Sequence, residues 1–534
     1  MSIRIHRVVA GLLATSLLVA CGGGGGGGST GPTQPTPPAD PTWTADQYAS
    51  PTMFQAYCAS PRSGTDPVTG QAYPDRLGSV GWENNWIRAW THAYYLWNTE
   101  VTDQDPESFT TANYFQLMKT MATTSSGAFK DRFHFTYDTT LWEQLSQSDV
   151  NVGYGANWVL LAATPPRNVV IAYVDAFTDT TNTTQSPAAK ASLARGAKII
   201  QIDGVDMINA NDAASIATLN AGLAPATVGE SHTFVVEDTP GGAQRTITMV
   251  SANISENPVP LVTSVATGHG PVGYIEFNAH VATAESGLIA AVNQLIAANI
   301  TDLVIDIRYN GGGYLDIASE LAYMVAGPGP TASPAFFEQE TFNSQYGATN
   351  PFTNSPSVTP FWSTTQGFSA TAGNPLPSLN LARVFVLTSN STCSASEAII
   401  NGLRGVGITV IEIGTTTCGK PYGFYPQDNC GTTYFSIQFQ GNNNAGFGSY
   451  GDGFTPSNSP AGTAGYPIPG CEVGDDFTHA LGDPAEAELA AALGYAAGAG
   501  TCPAPSSFAP AQPLVSHHLV RPEPLTNRIL RRPK

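Results

Sequence analysis

The sequence predicts a multidomain α+β protein, and three observations lead to that fold class. The 534 residues exceed what one hydrophobic core usually supports. The predicted secondary structure changes along the chain, from a helical N-terminal segment over 46–150 to a β-rich module over 151–255 and an α/β domain over 256–503. The composition, 42% hydrophobic and 12% charged, is typical of ordered globular proteins.

The first 45 residues are predicted to be an export signal and a spacer. Arg4 and Arg7 precede the apolar run "VVAGLLATSLLVA", which is too short to span a bilayer permanently. Its end, "LVAC", resembles a bacterial lipobox with Cys21 as the lipidated residue; an ordinary signal peptide or an incidental cysteine is the alternative. We therefore expect a lipoprotein signal peptide over 1–21, a Gly/Pro-rich linker over 22–45, and an exported protein held at the bacterial cell envelope only by its lipid.

The helical and β-rich segments are predicted from different periodicities. Trp82, Trp86 and Trp90 recur every four residues, which places them on one helix face and indicates a core stripe. Between 151 and 255 the runs "NVVIAYV", "KIIQIDG", "HTFVVED" and "RTITMVS" are rich in β-branched residues and are separated by glycine-containing turns. These runs predict a small β-rich domain.

The α/β domain is predicted from apolar runs that alternate with helical patterns. Four such runs are typical of buried strands: "GYIEF" (273–277), "LVIDI" (303–307), "VFVLT" (384–388) and "TVIEI" (409–413). Helices are expected after the first and third runs. The chain from 504 to 534 is predicted to be a disordered tail.

The charge balance argues against a nucleic-acid partner. Against 41 acidic residues the chain has 22 Lys and Arg, so its formal net charge is -19. Such a field repels a phosphate backbone, and no basic patch in the sequence competes with it.

The cysteines predict disulfides. With Cys21 lipidated, six of the seven cysteines remain, an even number in an exported chain. The preferred pairs are 418–430, 471–502 and 58–393, although sequence alone leaves the connectivity open. No CxxC or paired-histidine spacing indicates a zinc site, and no metal or other cofactor is expected.

The segment 391–420 carries the candidate chemistry. In a β-α-β unit over 384–413 the two strands run parallel and end at the same sheet edge. The turn "STCSASE" and the loop "GTTTCGK" then emerge side by side, so that Ser394 and Lys420 can meet. A serine hydroxyl needs a nearby base to become a nucleophile, and a lysine can be that base when burial leaves it neutral.

A glycine triplet supplies a third element. Asn310 is followed by Gly311, Gly312 and Gly313 directly after "LVIDI". Without side chains, the backbone N–H groups of glycine can approach a substrate closely and, with the N–H that follows the nucleophile, hold an oxyanion. A tight strand-to-helix turn is the alternative interpretation.

In chain order, the motifs "GYIEFN", "LVIDIRYNGGG", "VFVLTSNSTCSASEAIINGL" and "GTTTCGKPYG" resemble the catalytic domain of the C-terminal processing peptidases, also called tail-specific proteases. The resemblance spans roughly 150–440. It implies a crotonase-like mixed sheet preceded by a peptide-binding PDZ domain, to which "SPAAKASLARGAKIIQIDG" (186–204) is similar. It also implies a serine endopeptidase that binds protein or peptide C-termini and acts through a Ser-Lys acyl-enzyme.

Carried over by motif, the resemblance assigns roles to individual residues. Ser394, the first serine of "SASE", is the nucleophile and Lys420 is the general base. Ala395 N–H and Gly312 form the oxyanion hole. Ser396 is the rival nucleophile, although its position better suits the start of a helix.

The PDZ part would bind the substrate's C-terminal carboxylate and add the peptide to a sheet edge as an extra strand. The loop "GYGAN" (153–157) is the expected carboxylate site, with Gly155 and Ala156 as its residues, because glycine frees backbone N–H groups for an anion.

This sequence departs from the family pattern at several positions. The interval from the serine to Lys420 is one residue longer than expected, and Phe424 stands where many members have glutamine, with Gln427 a possible substitute. Ser192 and Ala197 replace the usual Gly and Asp of the PDZ segment.

Two alternative functions remain open. One is a catalytically inactive peptide-binding envelope lipoprotein, which Phe424 favours. The other is a hydrolase that uses one of the nine histidines as its base, although the sequence places no histidine within or beside the three active-site segments.

Overall fold

The computed structural model describes residues 36–148, 150–179, 183–255, 257–498, 502–503 and 528–530. The predicted signal peptide with Cys21, most of the predicted linker, and residues 504–527 and 531–534 of the predicted tail lie outside the described residues. The described chain from residue 38 onward forms one compact unit with a mixed α+β architecture. Among its helices, none combines the length and the apolar character needed to cross a bilayer.

The N-terminal region contains short strands as well as the predicted helices. Ser79 Oγ accepts the N–H of Trp82 and so caps the longest helix, on which Trp86 and Trp90 are buried as core residues. A strand of this region also joins a β-hairpin from the α/β domain, a pairing that its sequence pattern did not reveal. The elements are β1 (Tyr57–Cys58), β2 (Arg76–Leu77), α1 (Val80–Tyr94), α2 (Thr111–Leu117), β3 (Phe135–Asp138) and α3 (Thr139–Ser148), with 3-10 turns at Pro51–Met53, Asn98–Glu100 and Pro106–Ser108.

The β-rich module is a mainly antiparallel sheet with the order β10-β9-β7-β6-β5 and with β8 paired to β7. Ile199, Leu219 and Phe234 are fully buried in its core. Its elements are β4 (Val150–Gly153), β5 (Ala156–Ala162), β6 (Asn168–Val174), α4 (Pro187–Lys190), β7 (Lys198–Ile202), β8 (Val205–Asp206), α5 (Ala213–Leu223), β9 (Ser231–Glu237), β10 (Gln244–Val250) and β11 (Ala252–Ser255).

The α/β domain is built on the four apolar runs, each of which forms a strand within one residue of the predicted bounds. Its first elements are β12 (Leu261–Val265), β13 (Val272–Glu276), α6 (Ala284–Ala297), β14 (Asp302–Asp306), β15 (Gly312–Tyr314), α7 (Leu315–Ala326), β16 (Glu338–Thr341), β17 (Val358–Thr359), β18 (Arg383–Thr388), α8 (Ala395–Gly405) and β19 (Thr409–Gly414). The remaining elements are β20 (Tyr422–Gly423), β21 (Gln427–Asn429), β22 (Thr432–Phe435), β23 (Phe439–Asn442), β24 (Phe454–Pro456), β25 (Tyr466–Ile468), β26 (Gly470–Glu472), α9 (Ala487–Ala496) and β27 (Arg528–Leu530).

The central sheet has the order β12-β13-β14-β18-β19-β26, parallel throughout except for the antiparallel β12-β13 pair. Its strands are apolar on both faces because helices cover both faces. Side chains such as Val386 pack towards α6, α7 and α8, whereas Phe385 and Leu387 pack towards α9. Each such fully buried side chain contributes about 1.5–3 kcal/mol to stability. The predicted parallel β18-α8-β19 unit is confirmed, and it brings the loops after both strands to one edge.

Candidate active site

Ser394 lies at the turn between β18 and α8 in a conformation that L-residues rarely adopt. Its φ is +66° and its ψ is -117°, and it is fully buried. Its Oγ has no hydrogen-bond partner among the described residues. Backbone strain of this kind costs about 1–3 kcal/mol and persists only where the surroundings impose it, which is typical of functional sites.

Glu397 connects the turn of Ser394 to the loop of Lys420. Its Oε2 accepts the N–H of Ser394 at 3.0 Å and the N–H of Lys420 at 2.8 Å. The two backbone nitrogens therefore lie within 5.8 Å of each other, the sum of these distances. Its Oε1 accepts the N–H of Gly419 at 2.8 Å and the hydroxyl of Thr417 at 2.5 Å. The structure thus brings the two predicted dyad residues together through one carboxylate.

Glu397 is the last residue of the "SASE" motif, and the sequence analysis assigns it no role. An acidic residue three positions after a helix-capping serine is a capping-box pattern, which was the available signal. That pattern explains the contact with Ser394 but not the three contacts to the lysine loop. Complete burial raises the pKa of Glu397, and its four hydrogen bonds oppose that rise.

Lys420 is fully buried between aromatic rings. Its Nζ lies 4.1 Å from the ring centroid of Phe424 and 5.1 Å from that of Phe133. Phe424, the departure from the family glutamine, is therefore a direct neighbour of the amine. Phe133 lies far from every motif in the sequence, so that no pattern could have indicated it. Gln427, the suggested substitute, begins β21 and pairs with Tyr434.

The disulfide pattern corrects two of the three preferred pairs. The pair 471–502 forms as expected, but Cys393 bonds to Cys418 and Cys58 bonds to Cys430. The reason is the parallel β18-β19 pair, which places the two loops side by side, with the Cys418 N–H donating to Thr392 O at 3.0 Å. Cys393, Glu397 and Cys418 form a compact group of metal-type donors, but its two sulfurs are bonded to each other.

The glycine triplet is tied to the nucleophile turn by Asn310. The Asn310 carbonyl accepts the Cys393 N–H at 3.1 Å and the Ser396 hydroxyl at 3.0 Å. The rival hydroxyl of Ser396 is thus already engaged, whereas that of Ser394 is not. The Asn310 side-chain oxygen accepts the N–H of Gly312 at 3.0 Å. This predicted oxyanion donor therefore already has an acceptor within its own loop.

One histidine, which lies outside the three active-site segments in the sequence, lies beside the glycine triplet in the structure. The backbone N–H of His280 donates to Gly312 O at 3.2 Å. The backbone carbonyl of His280 lies so close to Gly313 that a Cβ at residue 313 would come within 2.2 Å of the carbonyl oxygen. Its Nδ1 carries the proton, because the neighbouring Asn310 Oδ1, at 3.0 Å, can only accept. Burial lowers the pKa of His280 to about 3, which keeps the ring neutral.

The predicted carboxylate-binding residues lie at the start of the edge strand of the β-rich module. Gly155 has a φ of +75°, and a Cβ there would come within 2.7 Å of Ser186 Cβ, so both conformation and packing require glycine. Ala156 begins β5, which has a neighbour on one side only within the described sheet. Ser192, which replaces the family glycine, is left-handed with a φ of +53°. Ala197 is fully buried.

The site therefore combines a buried serine at a strained strand-to-helix turn with the loop of a buried lysine, and one carboxylate joins the two. Residues 271–424 match Peptidase family S41, which places this segment of the chain in a family of serine-type peptidases. The resemblance to the C-terminal processing peptidases is therefore confirmed.

The chain is also similar to individual proteins. A carboxyl-terminal-processing protease from Picosynechococcus sp. is 27% identical over 241 residues, which make up 44% of this chain and 48% of the relative. The chain thus spans about half the length of this curated relative. A Bacteroides fragilis structure described as an S41 protease is 21% identical, with a TM-score of 0.55 over 80% of this chain and 98% of the other, and it supports the fold. The photosystem II D1 C-terminal processing protease is 15% identical, with a TM-score of 0.41 over 71% and 92%.

Proposed function

We propose that this protein is an exported serine endopeptidase that binds protein C-termini and hydrolyses peptide bonds through an acyl-enzyme on Ser394, with Lys420 as the base. The observation that supports this most directly is the Glu397 carboxylate, which holds the backbone N–H groups of both residues on one oxygen. The burial of Lys420 supports it further, because burial disfavours the charged form of an amine and only the neutral amine can accept a proton.

The reaction follows from these positions. The neutral Lys420 amine takes the proton from Ser394 Oγ as that oxygen attacks the substrate carbonyl, and the carbonyl oxygen becomes an oxyanion. Ala395, the first residue of α8, offers an N–H at the positive end of the helix, where no intrahelical acceptor exists. Gly312 N–H is the proposed second donor. It already donates to Asn310 Oδ1, so it would have to donate to this oxygen and to the oxyanion at the same time. The lysine then returns its proton to the leaving amine, and water hydrolyses the ester in the same way.

The β-rich module is proposed to be PDZ-like and to capture the substrate. Its edge strand β5 offers unpaired backbone groups to an extended peptide, with Gly155 and Ala156 at the end where a terminal carboxylate would lie. Helix α5 lies close to this edge, since Trp158 Nε1 donates to Leu223 O at 3.0 Å. Protein and peptide C-termini are the proposed partners, with a lipid on Cys21 as the proposed membrane anchor and no nucleic acid.

The inactive-lipoprotein alternative depended on Phe424. That residue still packs against the lysine, because the centroid of its ring lies 4.1 Å from Lys420 Nζ and its apolar side chain helps to keep the amine away from water. The match to a peptidase family also favours the enzyme over the alternative.

The test is cleavage of an unstructured protein such as casein, followed by mass spectrometry, with four proteins compared. We expect fragments from the wild type and from Ser396→Ala, the matched control two residues further along the chain. We expect none from Ser394→Ala or Lys420→Ala. Fragments from Ser394→Ala at the wild-type rate would overturn the assignment of the nucleophile. Substantial activity in Lys420→Ala would instead indicate a different base, and His280→Ala would then be the variant to examine.

A further inference from the structure

Residues 528–530 form a strand inside the candidate active site. This strand, β27, pairs in parallel with β15, with Arg528 opposite Gly312, Ile529 opposite Gly313 and Leu530 opposite Tyr314. The sequence predicted a disordered tail over 504–534, and most of that range lies outside the described residues. The three described residues 528–530, however, form a strand on the glycine segment.

The pairing uses backbone groups that face the site. Gly312 O and Tyr314 N–H are bonded to His280 on one side of β15, at 3.2 and 2.8 Å. Because backbone groups alternate along a strand, Gly313 N–H and O face the other side, where β27 lies. Strand β20, which begins two residues after Lys420, also contacts β27. A substrate that added a strand to β15 would need the same Gly313 groups, so β27 and such a substrate exclude each other.

The charge of this segment is opposite to that of the rest of the chain. Residues 521–534 contain five basic residues and one acidic residue, on a chain whose formal net charge is -19. The basic residues are Arg521, Arg528, Arg531, Arg532 and Lys534. An attraction between these opposite charges favours the association of β27 with β15, and salt weakens it.

We propose that strand β27 (Arg528–Leu530) is an internal inhibitor, which occupies the edge of β15 and must be displaced before a substrate strand can bind. This inference rests on the proposed peptidase function. The segment competes with substrate without being cut. Its removal from β15 therefore lowers the KM for substrate and leaves kcat unchanged.

The experiment uses the full chain and its Leu530→Pro variant. In the parallel register Leu530 N–H is the group positioned to donate to Gly313 O, and proline has no N–H. We expect the variant to cleave casein with a KM several-fold below that of the wild type. A synthetic peptide of residues 521–534 added to the variant should raise the KM again, and the same peptide with Leu530→Pro should not. Equal KM values for the two proteins, with no effect of the peptide, would overturn the proposal.

A binding measurement separates this inference from the proposed function. Fluorescence anisotropy of the labelled 521–534 peptide is measured on the Ser394→Ala, Leu530→Pro double variant, which needs no catalysis. If the peptide binds but neither the wild type nor the Leu530→Pro variant cleaves casein, the result would support the binding of this segment to β15 and refute the proposed peptidase function. Cleavage without peptide binding would do the reverse. Loss of residues 521–534 from wild type but not from Ser394→Ala, seen by intact mass, would make the segment a substrate and overturn its role as inhibitor.

Discussion

Removal of the Cys393–Cys418 disulfide should reduce activity far more than an equally destabilising change elsewhere. This bond joins the residue before Ser394 to the residue two positions before Lys420. Without it, the nucleophile turn and the lysine loop are held together by the Glu397 hydrogen bonds and the Cys418 N–H bond to Thr392 O.

The chain provides a matched control for stability. The bond spans 25 residues, and Cys471–Cys502, which joins β26 to residue 502 beyond α9, spans 31. Loop-closure entropy predicts that removing either bond costs about 3.5 and about 3.7 kcal/mol, respectively. The two double variants, Cys393→Ala/Cys418→Ala and Cys471→Ala/Cys502→Ala, should therefore have similar free energies of unfolding.

Activity should separate the two variants. A displacement of about 1 Å between catalytic groups costs about 10²-fold in rate, so we expect a loss of that order in kcat for the 393/418 variant and little loss for the 471/502 variant. Urea unfolding followed by tryptophan fluorescence measures the stability, and casein cleavage well below the unfolding midpoint measures kcat. Full activity in the 393/418 variant, or an equal loss of activity in both at similar stability, would refute the reasoning.

Three further predictions concern buried ionisable groups. Glu397→Gln should lower kcat about 10²-fold, because an amide NH2 group would then face backbone N–H donors. The far-UV circular dichroism spectrum should remain that of a folded protein, and an unchanged kcat would refute the positioning role of Glu397. Burial and a neighbouring carboxylate raise the pKa of Glu320 from 4.5 to about 9. Between these two pH values the folded state keeps a proton that the unfolded state releases, so the free energy of unfolding falls as the pH rises. The urea midpoint of Glu320→Gln should therefore gain on the wild type between pH 5 and 8, and a constant difference would contradict this. Arg195→Met removes the ion pair with Asp475 and should lower the free energy of unfolding in urea by about 3 kcal/mol. This is the lower end for a broken buried pair, because Arg308 still contacts Asp475 at 2.8 Å. A loss below about 1 kcal/mol, typical of an exposed pair, would contradict the burial argument.

Much of the fold and part of the site could be predicted because the signals are local. Four strands of the central sheet are mainly apolar runs, and the two predicted helices repeat their apolar residues at helical spacing. The parallel crossover then places the loops of Ser394 and Lys420 at one edge. The sequence could not indicate Phe133 as a neighbour of Lys420, since the two residues are far apart in the chain and share no periodic pattern.

By itself the sequence determined the order of four central strands and two of their helices, the two residues of the candidate dyad and the family they resemble, because these depend on residue type and short spacings. Only the tertiary structure decided that Cys393 bonds to Cys418 and that one Glu397 oxygen accepts the backbone N–H groups of both dyad residues. It also decided that His280 lies beside the glycine triplet. It also placed β27 on β15. These are contacts between segments brought together by the packed sheet and its helices, and their energies depend on distances that exist only after folding.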